Sequence, residues 1–356
     1  MKNPNFIFLL LTVVSFACKD NITNPIEILP GRTDYVWTYD TLNVGEGNSL
    51  SRIWASSDNN VWACGEEELW HYNGISWSKN GSVPGYSYGA LSGTDESNVW
   101  MIANGNYSGI DAYHYNGSSW SKYAHYAYSQ VGDGMWLDDL WGDSQNGLIG
   151  VGAFETTGGT KNTGIIMKLV NNNWTFATIP EIDATFDFVQ RDILGNGNYY
   201  ICGEQILRDT TTNPITINGF VYKIYEYDGA NIKEIFSRRG YYIWPETIGG
   251  HICFIGQNTL QIYQNGSFQV VKDFSSSGYN IDNGYGRTEK DIILYGVKGT
   301  DYSGTKYVVH YNGTDFTLLL TTINQIGATV ITNNSVFIVT ETKEYKWIII
   351  KGTLKS

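Results

Sequence analysis

The feature that most limits the fold is an internal repeat of about 40–50 residues built around Asn-Gly turns. Two copies are alike by eye: residues 56–79 contain SSDNNVWACG and LWHYNGISWSK, and residues 93–122 contain GTDESNVWMIA and YHYNGSSWSK. Each copy reads as a polar turn, a short apolar strand, a variable link, a strand that ends at the Asn-Gly turn, and a strand that opens with an aromatic residue. Asn-Gly between alternating apolar runs is a strong hairpin signal. The repeat therefore predicts short antiparallel strands.

The same template can be laid on the rest of the chain. Its first anchor, an apolar residue three positions before a small one, recurs at Trp62, Trp100, Ile149, Tyr200, Cys253, Ile293 and Phe337. Its second anchor is a pair five residues apart across a turn, namely Tyr72/Trp77, Tyr115/Trp120, Leu169/Trp174, Tyr227/Ile232, Tyr263/Phe268 and Tyr311/Phe316. Several strands per unit at this period are typical of a β-propeller. We predict an all-β, seven-bladed β-propeller over residues 33–356, with six or eight blades as alternatives.

The two ends of the repeat region predict how the ring closes. The seventh unit has three strands, the last near residues 345–351, and lacks a fourth. An unassigned strand at residues 34–39 precedes the first unit, and its Trp37 matches the outer-strand aromatics such as Trp77. We predict that this N-terminal strand pairs with the last blade, because an unpaired strand edge invites aggregation.

Composition excludes two classes of protein. Aromatic residues make up 15% of the chain, which is far more than disordered chains contain. Lys and Arg number 23 against 35 Asp and Glu, for a formal net charge of −12. A nucleic-acid partner is disfavoured, because phosphate contacts need clustered basic residues.

The N-terminus predicts export. Met1-Lys2 is followed by an apolar run at residues 6–14, which is too short to span a bilayer and is typical of a secretory signal. Ala17-Cys18 follows the run, and a small residue before such a Cys resembles the cleavage box of bacterial lipoproteins. The resemblance implies that Cys18 is diacylated and becomes the new N-terminus. An ordinary signal peptide is the alternative.

A second resemblance implies the membrane in which a lipid anchor at Cys18 would lie. Lys19-Asp20 resembles the surface-export signal of Bacteroidetes-type lipoproteins, and PGRTDYVWTYD, NVWACG, NVWMIA and the HYNG…W elements resemble exported propeller-repeat lipoproteins of Bacteroidetes-like bacteria. The resemblance implies a signal peptide at residues 1–17, a tether at 18–32, and palmitate-type anchoring in the outer membrane. The protein would face either the cell surface or the periplasm.

The variable links predict the binding face. Length varies in the links between second and third strands and between one blade and the next, and variable insertions on one face of a repeat protein usually mark the binding face. These links are rich in Tyr and Trp, whose flat rings with polar edges suit sugars and protein partners. The candidate ligand-binding residues are Tyr86, Tyr88, Tyr126, Tyr128, Trp136, Tyr242, Trp244, Tyr279 and Tyr285.

Motifs for catalysis are missing from the sequence. It contains no nucleophile elbow, P-loop or Rossmann fingerprint. His71, His114 and His310 share one repeat position, which indicates blade packing. Glycosidic cleavage uses two carboxyl groups that face one cleft, which the pair Asp138-Asp139 could supply. Neighbouring strand residues point to opposite sides of a sheet, so this pair alone is weak evidence for that chemistry. We predict no catalytic residue, no metal ligand and no cofactor.

Together these patterns predict a lipid-anchored, monomeric binding or interaction module of a cell envelope. Its ligand would be a glycan or an extracellular protein, with no nucleic-acid partner. We expect binding rather than catalysis. The alternatives are a scaffold in envelope assembly and a carbohydrate-active hydrolase or lyase.

Overall fold

The computed structural model describes most of the repeat region. The described residues are 29–81, 83, 87–105, 109–127, 134–143, 147–155, 162–170, 173–178, 183–209, 211–212, 216–299 and 304–356. Within them, regular structure other than one 3₁₀ turn at Ser275–Ser277 is all strand. No helix in the described part of the chain could cross a bilayer.

The strands form seven antiparallel sheets of four strands each, which we call blades 1 to 7. Blade 1 holds β2 (Arg52–Ser57), β3 (Asn60–Gly65), β4 (Glu68–Tyr72) and β5 (Trp77–Lys79). Blade 2 holds β6 (Ser87–Asp95), β7 (Asn98–Gly105), β8 (Gly109–Tyr115) and β9 (Trp120–Tyr126). Blade 3 holds β10 (Gly134–Asp143), β11 (Gly147–Glu155), β12 (Asn162–Val170) and β13 (Asn173–Thr178).

The remaining blades follow in chain order. Blade 4 holds β14 (Thr185–Arg191), β15 (Tyr199–Asp209), β16 (Thr216–Tyr227) and β17 (Ile232–Arg239). Blade 5 holds β18 (Trp244–Ile248), β19 (His251–Gly256), β20 (Thr259–Gln264) and β21 (Ser267–Asp273). Blade 6 holds β22 (Asn280–Thr288), β23 (Asp291–Val297), β24 (Lys306–Tyr311) and β25 (Phe316–Thr322). Blade 7 holds β26 (Gln325–Ile331), β27 (Ser335–Glu341), β28 (Trp347–Leu354) and β1 (Tyr35–Leu42).

The first strands of the blades contact one another in sequence around the ring. Contacts run from β2 through β6, β10, β14, β18 and β22 to β26, and β26 contacts β2 in turn. The chain is therefore an all-β propeller of seven blades, with one first strand from each blade innermost.

Blade 7 joins the two ends of the described chain, as the sequence predicts. β1 pairs with β28 from Tyr35 opposite Leu354 to Leu42 opposite Trp347. Trp37 lies opposite Gly352, in the register that Trp77 occupies opposite Tyr72 in blade 1. The fourth strand of this blade is thus supplied by the N-terminal side of the chain.

Cross-strand aromatic pairs explain the second repeat anchor. Each predicted pair lies in direct register at the turn between the third and fourth strands, as Tyr115 does with Trp120 at a ring separation of 5.5 Å. Such pairs add about 0.2–1 kcal/mol each to a sheet. The blades then bury their apolar faces against each other, so that the core is a series of clusters between neighbouring blades.

The small residue of the first anchor has a backbone cause. A Cβ on Gly152 would collide with the carbonyl oxygen of Trp136, and one on Gly296 would lie 2.6 Å from that of Asn280. In both places the backbone at the start of the innermost strand lies very close to the glycine of the neighbouring second strand. Only glycine, or a small shift of the backbone, accommodates this approach.

Bulges interrupt five of the innermost strands near their beginnings. In β10, Leu137 faces Gly152 and Asp139 faces Val151, which leaves Asp138 as the extra residue. The same register shift makes Asp187 the extra residue in β14 and Asp282 the extra residue in β22. A bulge redirects a side chain and breaks the simple alternation of strand faces.

Candidate functional site

A cavity of about 780 Å³ lies on the axis of the ring. All seven innermost strands line it, through residues 52–54, 91–94, 139–142, 188–190, 244–246, 283, 285 and 327–329. Ligand sites commonly measure about 300–1,000 Å³ and combine apolar walls with a few convergent polar groups. This cavity, which we call the axial cavity, is the candidate site.

Aromatic rings form much of the cavity wall. Trp54, Trp141, Phe188, Trp244 and Tyr285 all line it. Phe188 of blade 4 and Trp244 of blade 5 meet edge to face, with ring centroids 4.9 Å apart. The wall therefore offers flat apolar surfaces from several blades.

Arg52 places a positive charge among the residues that line the cavity. Its Nη1 donates to the carbonyl of Ser51 at 3.1 Å, and its Nη2 donates to the carbonyl of Asp138 at 2.8 Å. The guanidinium also lies 5.9 Å from the centre of the Phe188 ring. Its buried Nε has no hydrogen-bond partner among the described residues. Arg52 thus links blade 1 with blade 3, which is not its neighbour.

Carboxyl groups surround this arginine. Burial raises the pKa of Asp138 to about 6, although a 2.7 Å hydrogen bond from the Trp136 indole and the charge of Arg52 oppose the shift. Burial likewise raises the pKa of Asp139 to about 6, against the attraction of Arg52 and a 3.0 Å hydrogen bond from the Val189 backbone N–H.

Two further carboxyl groups have pKa values that are raised more strongly, although the charge of Arg52 lowers that of Asp187. Burial raises the pKa of Asp187 to about 8, and repulsion from Asp138 and Glu204 adds to the shift. Burial also raises the pKa of Glu246 well above its ordinary value, with Asp139 adding repulsion. No described residue donates a hydrogen bond to either carboxyl group. Strongly perturbed carboxyl groups in a cleft are candidates for binding or catalysis.

Four of the predicted aromatic residues lie around the axis. Trp244 and Tyr285 line the cavity, while the indole N–H of Trp136 donates a hydrogen bond to the carboxylate of Asp138. The Tyr242 ring stacks 6.3 Å from that of Trp244 and lies 5.4 Å from that of Tyr222. These predictions therefore converge on one region built by blades 3 to 6.

Three other predicted residues lie elsewhere. Tyr88 is 3% exposed in the core between blades 1 and 2. Tyr126 ends the outermost strand of blade 2 and packs on Phe176, with ring centroids 5.6 Å apart. Tyr279 packs on Tyr307 at 4.8 Å, at the start of blade 6. Cys18, Tyr86 and Tyr128 lie outside the described residues.

Arg52, Asp187 and Glu246 are not among the site residues predicted from the sequence, and Asp138-Asp139 is discounted there. The repeat template was anchored on second, third and fourth strands, so the innermost strands were never aligned. Aligning them places Asp138, Asp187 and Asp282 one residue after an apolar side chain in three blades. That recurrence was the available signal.

Other acidic and imidazole groups are already satisfied by protein. Glu68 has a fully buried side chain and accepts from Lys79 Nζ at 2.7 Å and the Trp70 indole at 2.7 Å. His71 stacks on Trp62 at 4.1 Å, with Nε2 at 2.6 Å from Asn60 Oδ1. His114 repeats this arrangement with Trp100 and Asn98. The buried His310 differs, because its Nε2 lies 2.8 Å from the carboxylate of Asp291. In all three blades the ring is thus satisfied within the protein, which supports a packing role for this repeat position.

A second large cavity, of about 970 Å³, lies between blades 4 and 5. Glu226 there accepts hydrogen bonds from Asn198 at 2.7 Å and Asn196 at 3.1 Å. The Glu226 carboxylate therefore already accepts hydrogen bonds from the protein. Asp187 and Glu246, in the innermost strands, accept none from a described residue. Within the described ranges, no group of three or more His, Cys, Asp or Glu could hold a metal ion.

Comparisons with known proteins bear on the fold. No family model matches the chain, and no curated protein matches it. The structure titled "YCF48 bound to D1 peptide" has a TM-score of 0.59 at 11% identity, covering 92% of this chain and 100% of that one.

Two acylaminoacyl peptidase structures are also similar. The Pyrococcus horikoshii enzyme has a TM-score of 0.52 at 10% identity over 83% of this chain. An acylaminoacyl peptidase in complex with Z-Gly-Gly-Phe-chloromethyl ketone has a TM-score of 0.54 at 10% identity over 87%. This chain spans about half of each peptidase, 50% and 52% respectively. At these identities the likeness establishes the propeller fold alone.

Proposed function

We propose that the protein is a lipid-anchored binding module of a bacterial cell envelope, which holds its ligand at the axial cavity and the aromatic residues beside it. The observation that carries the proposal is the convergence on one cavity of aromatic side chains from several blades with the carboxyl groups of Asp139 and Glu246, of which Glu246 accepts no hydrogen bond from a described residue. A purely structural axis would have its polar groups satisfied within the protein, as Glu68 is.

The ligand is proposed to be an extracellular protein or a glycan. A propeller of similar fold is known with a bound peptide, the one titled "YCF48 bound to D1 peptide". Aromatic faces such as those of Trp244 and Tyr242 suit both a peptide and a sugar ring. The lipid anchor at Cys18 and the outer-membrane location follow from the sequence resemblance and belong to the same proposal.

The experiment is a paired search for ligands with the full-length chain in detergent. Glycan-array binding and cross-linking in whole cells are compared for the wild type, Trp244→Ala and Ile75→Ser. Ile75 is 88% exposed at a turn between third and fourth strands, away from the axis, so it serves as the surface control. Loss of a glycan or protein ligand in Trp244→Ala alone supports the proposal. Equal binding by both variants contradicts it.

A carbohydrate-active hydrolase or lyase is the second candidate, because one observation favours it. Asp138 and Asp187 repel each other near Arg52, with pKa values raised to about 6 and about 8. Glycosidic cleavage uses two carboxyl groups, one of them protonated at working pH. Release of reducing ends from a polysaccharide panel, lost in both Asp138→Asn and Asp187→Asn, would favour catalysis. A wild type that turns over none of the panel would leave binding as the function.

A further inference from the structure

We propose that the axial cavity binds an organic cation, a protonated amine or guanidinium carried on an apolar body. This inference rests on the proposed binding function and names the chemistry of the group that enters the cavity.

The charge of the lining favours a cation. Asp139 and Glu246 line the cavity, against the single cation Arg52 among its described lining residues. Arg52 donates to the carbonyls of Ser51 and Asp138 and makes no ion pair within 4.0 Å to a described carboxylate. Arg52 stabilises the charged form of Asp139 without forming a close ion pair, so Glu246 is the acidic side chain of the lining on which no nearby cation acts. Burial raises the pKa of Glu246, as expected for a carboxyl group that lacks a counter-charge.

The polar atoms of the lining are incompletely satisfied. Thr329 lines the cavity, is 7% exposed, and its Oγ1 has no partner at hydrogen-bond distance. The Tyr295 hydroxyl makes a side-chain contact with Thr329 that is longer than an ordinary hydrogen bond, and this contact lowers the pKa of Tyr295 against the raising effect of burial. Glu246 receives no hydrogen bond from a described residue. The Glu246 side chain is only partly buried, so its carboxyl group can accept hydrogen bonds from the donors of a ligand in the cavity.

The walls complete the site for a cation of some size. Trp54, Trp141, Trp244 and Tyr285 line the same cavity, and indole faces attract cations within about 6 Å of the ring centre. A volume of about 780 Å³ exceeds what one ammonium ion fills. The cavity therefore suits an amine together with its carbon skeleton, which the aromatic walls would cover.

The test titrates the full-length chain with amines and their neutral isosteres, followed by tryptophan fluorescence and calorimetry. The probes are cadaverine against 1,5-pentanediol, and a lysine-containing decapeptide against the same peptide with norleucine. We expect each amine that binds to bind at least tenfold tighter than its neutral partner. Cadaverine binding would indicate a free small-molecule amine. Binding by the lysine peptide alone would indicate a side chain of a protein partner.

Variants test whether the cavity is responsible. Glu246→Gln keeps the shape of the side chain and should weaken amine binding at least tenfold, whereas Glu344→Gln, on the exposed surface, should leave it unchanged. Thermal unfolding of both variants establishes that they fold. Amines that bind no tighter than their isosteres, or equally to folded Glu246→Gln, would overturn the inference. The glycan and cross-linking searches would still report on the binding function itself.

Discussion

Arg52 in the first blade donates a 2.8 Å hydrogen bond to the backbone carbonyl of Asp138 in the third, across a ring in which these two blades are not neighbours. The same guanidinium stabilises the charged forms of Asp138, Asp139 and Asp187. Arg52 therefore acts both as a tie between blades and as the counter-charge of the axial carboxyl groups.

Replacement of this arginine should weaken the fold. We expect Arg52→Gln to lower the free energy of unfolding by about 2–3 kcal/mol in urea titrations, because a charge-assisted hydrogen bond is lost and three carboxyl groups lose their nearby cation. Arg238→Gln is the matched control, since that residue is exposed and its guanidinium lies over the face of Tyr241, 4.5 Å from the ring centre. Its effect should stay below about 1 kcal/mol. Equal losses in both variants would contradict the role of Arg52.

Neutralising Asp187 should stabilise the protein in alkaline solution. Its folded pKa of about 8 lies above the ordinary value, so the folded state holds the proton more tightly than the unfolded chain does. Its contribution to stability is thus fully present at acidic pH and is lost as the pH rises through about 8. Asp187→Asn should exceed the wild type by about 1–3 kcal/mol at pH 9 and match it near pH 4.

An exposed aspartate provides the control for that pH profile. Asp315 lies at the surface in the turn before β25, and Asp315→Asn should shift the unfolding free energy by less than about 0.5 kcal/mol at either pH. Unfolding is followed by circular dichroism from pH 4 to 9. A stability curve for Asp187→Asn that runs parallel to the wild type would refute the assigned perturbation.

The contact between Trp37 and Gly352 tests how the ring closes. A Cβ at position 352 would lie 2.6 Å from the Trp37 ring, so Gly352→Ala should destabilise the protein by about 1–3 kcal/mol. In a Trp37→Ala background the same change should cost much less, since the colliding ring is gone. The double-mutant cycle is measured by urea unfolding. An unchanged cost in both backgrounds would mean that β1 does not pack here in solution.

Removal of the His310 side chain should destabilise the protein much more than removal of the His251 side chain. The buried His310 ring places Nε2 at 2.8 Å from Asp291 Oδ1, whereas the side chain of His251 is 60% exposed. We expect His310→Ala to cost about 2–3 kcal/mol, because a buried hydrogen bond to a charged group is lost and a cavity opens. His251→Ala should cost less than about 0.5 kcal/mol by thermal or chemical unfolding. Similar losses would argue against packing as the role of the repeated histidine.

The proposed lipid anchor depends on one thiol at Cys18. Cys18→Ser should abolish incorporation of labelled palmitate in growing cells and move the protein from the detergent phase to the aqueous phase. Thr23→Ser, which leaves the thiol in place, should remain labelled. Palmitate labelling of the Cys18→Ser protein would show that acylation occurs at another residue.

Much of the architecture could be predicted because it depends on local patterns. Asn-Gly turns, pairs of large apolar residues five positions apart and small residues after an apolar anchor each report contacts within one blade, and they recur in most of the copies. The candidate site was harder to predict. Trp244 and Tyr285 were selected as aromatic link residues, but nothing in their spacing indicated a shared cavity with Glu246. Asp138-Asp139 was discounted because neighbouring residues of a regular strand point to opposite faces. The bulge at Asp138 breaks that alternation in β10.

The sequence by itself determined the all-β repeat and its hairpins, because hairpin turns and alternating apolar residues act over short separations along the chain. It favoured seven blades over six or eight and predicted the pairing of residues 34–39 with the last blade, which the structure has. Only the tertiary structure decided what the axis contains. Arg52, Asp187 and Glu246 lie in three different blades, and their altered charge states arise from burial and mutual repulsion once the ring has formed. Those energies depend on distance in space, which the repeat pattern of a single blade does not encode.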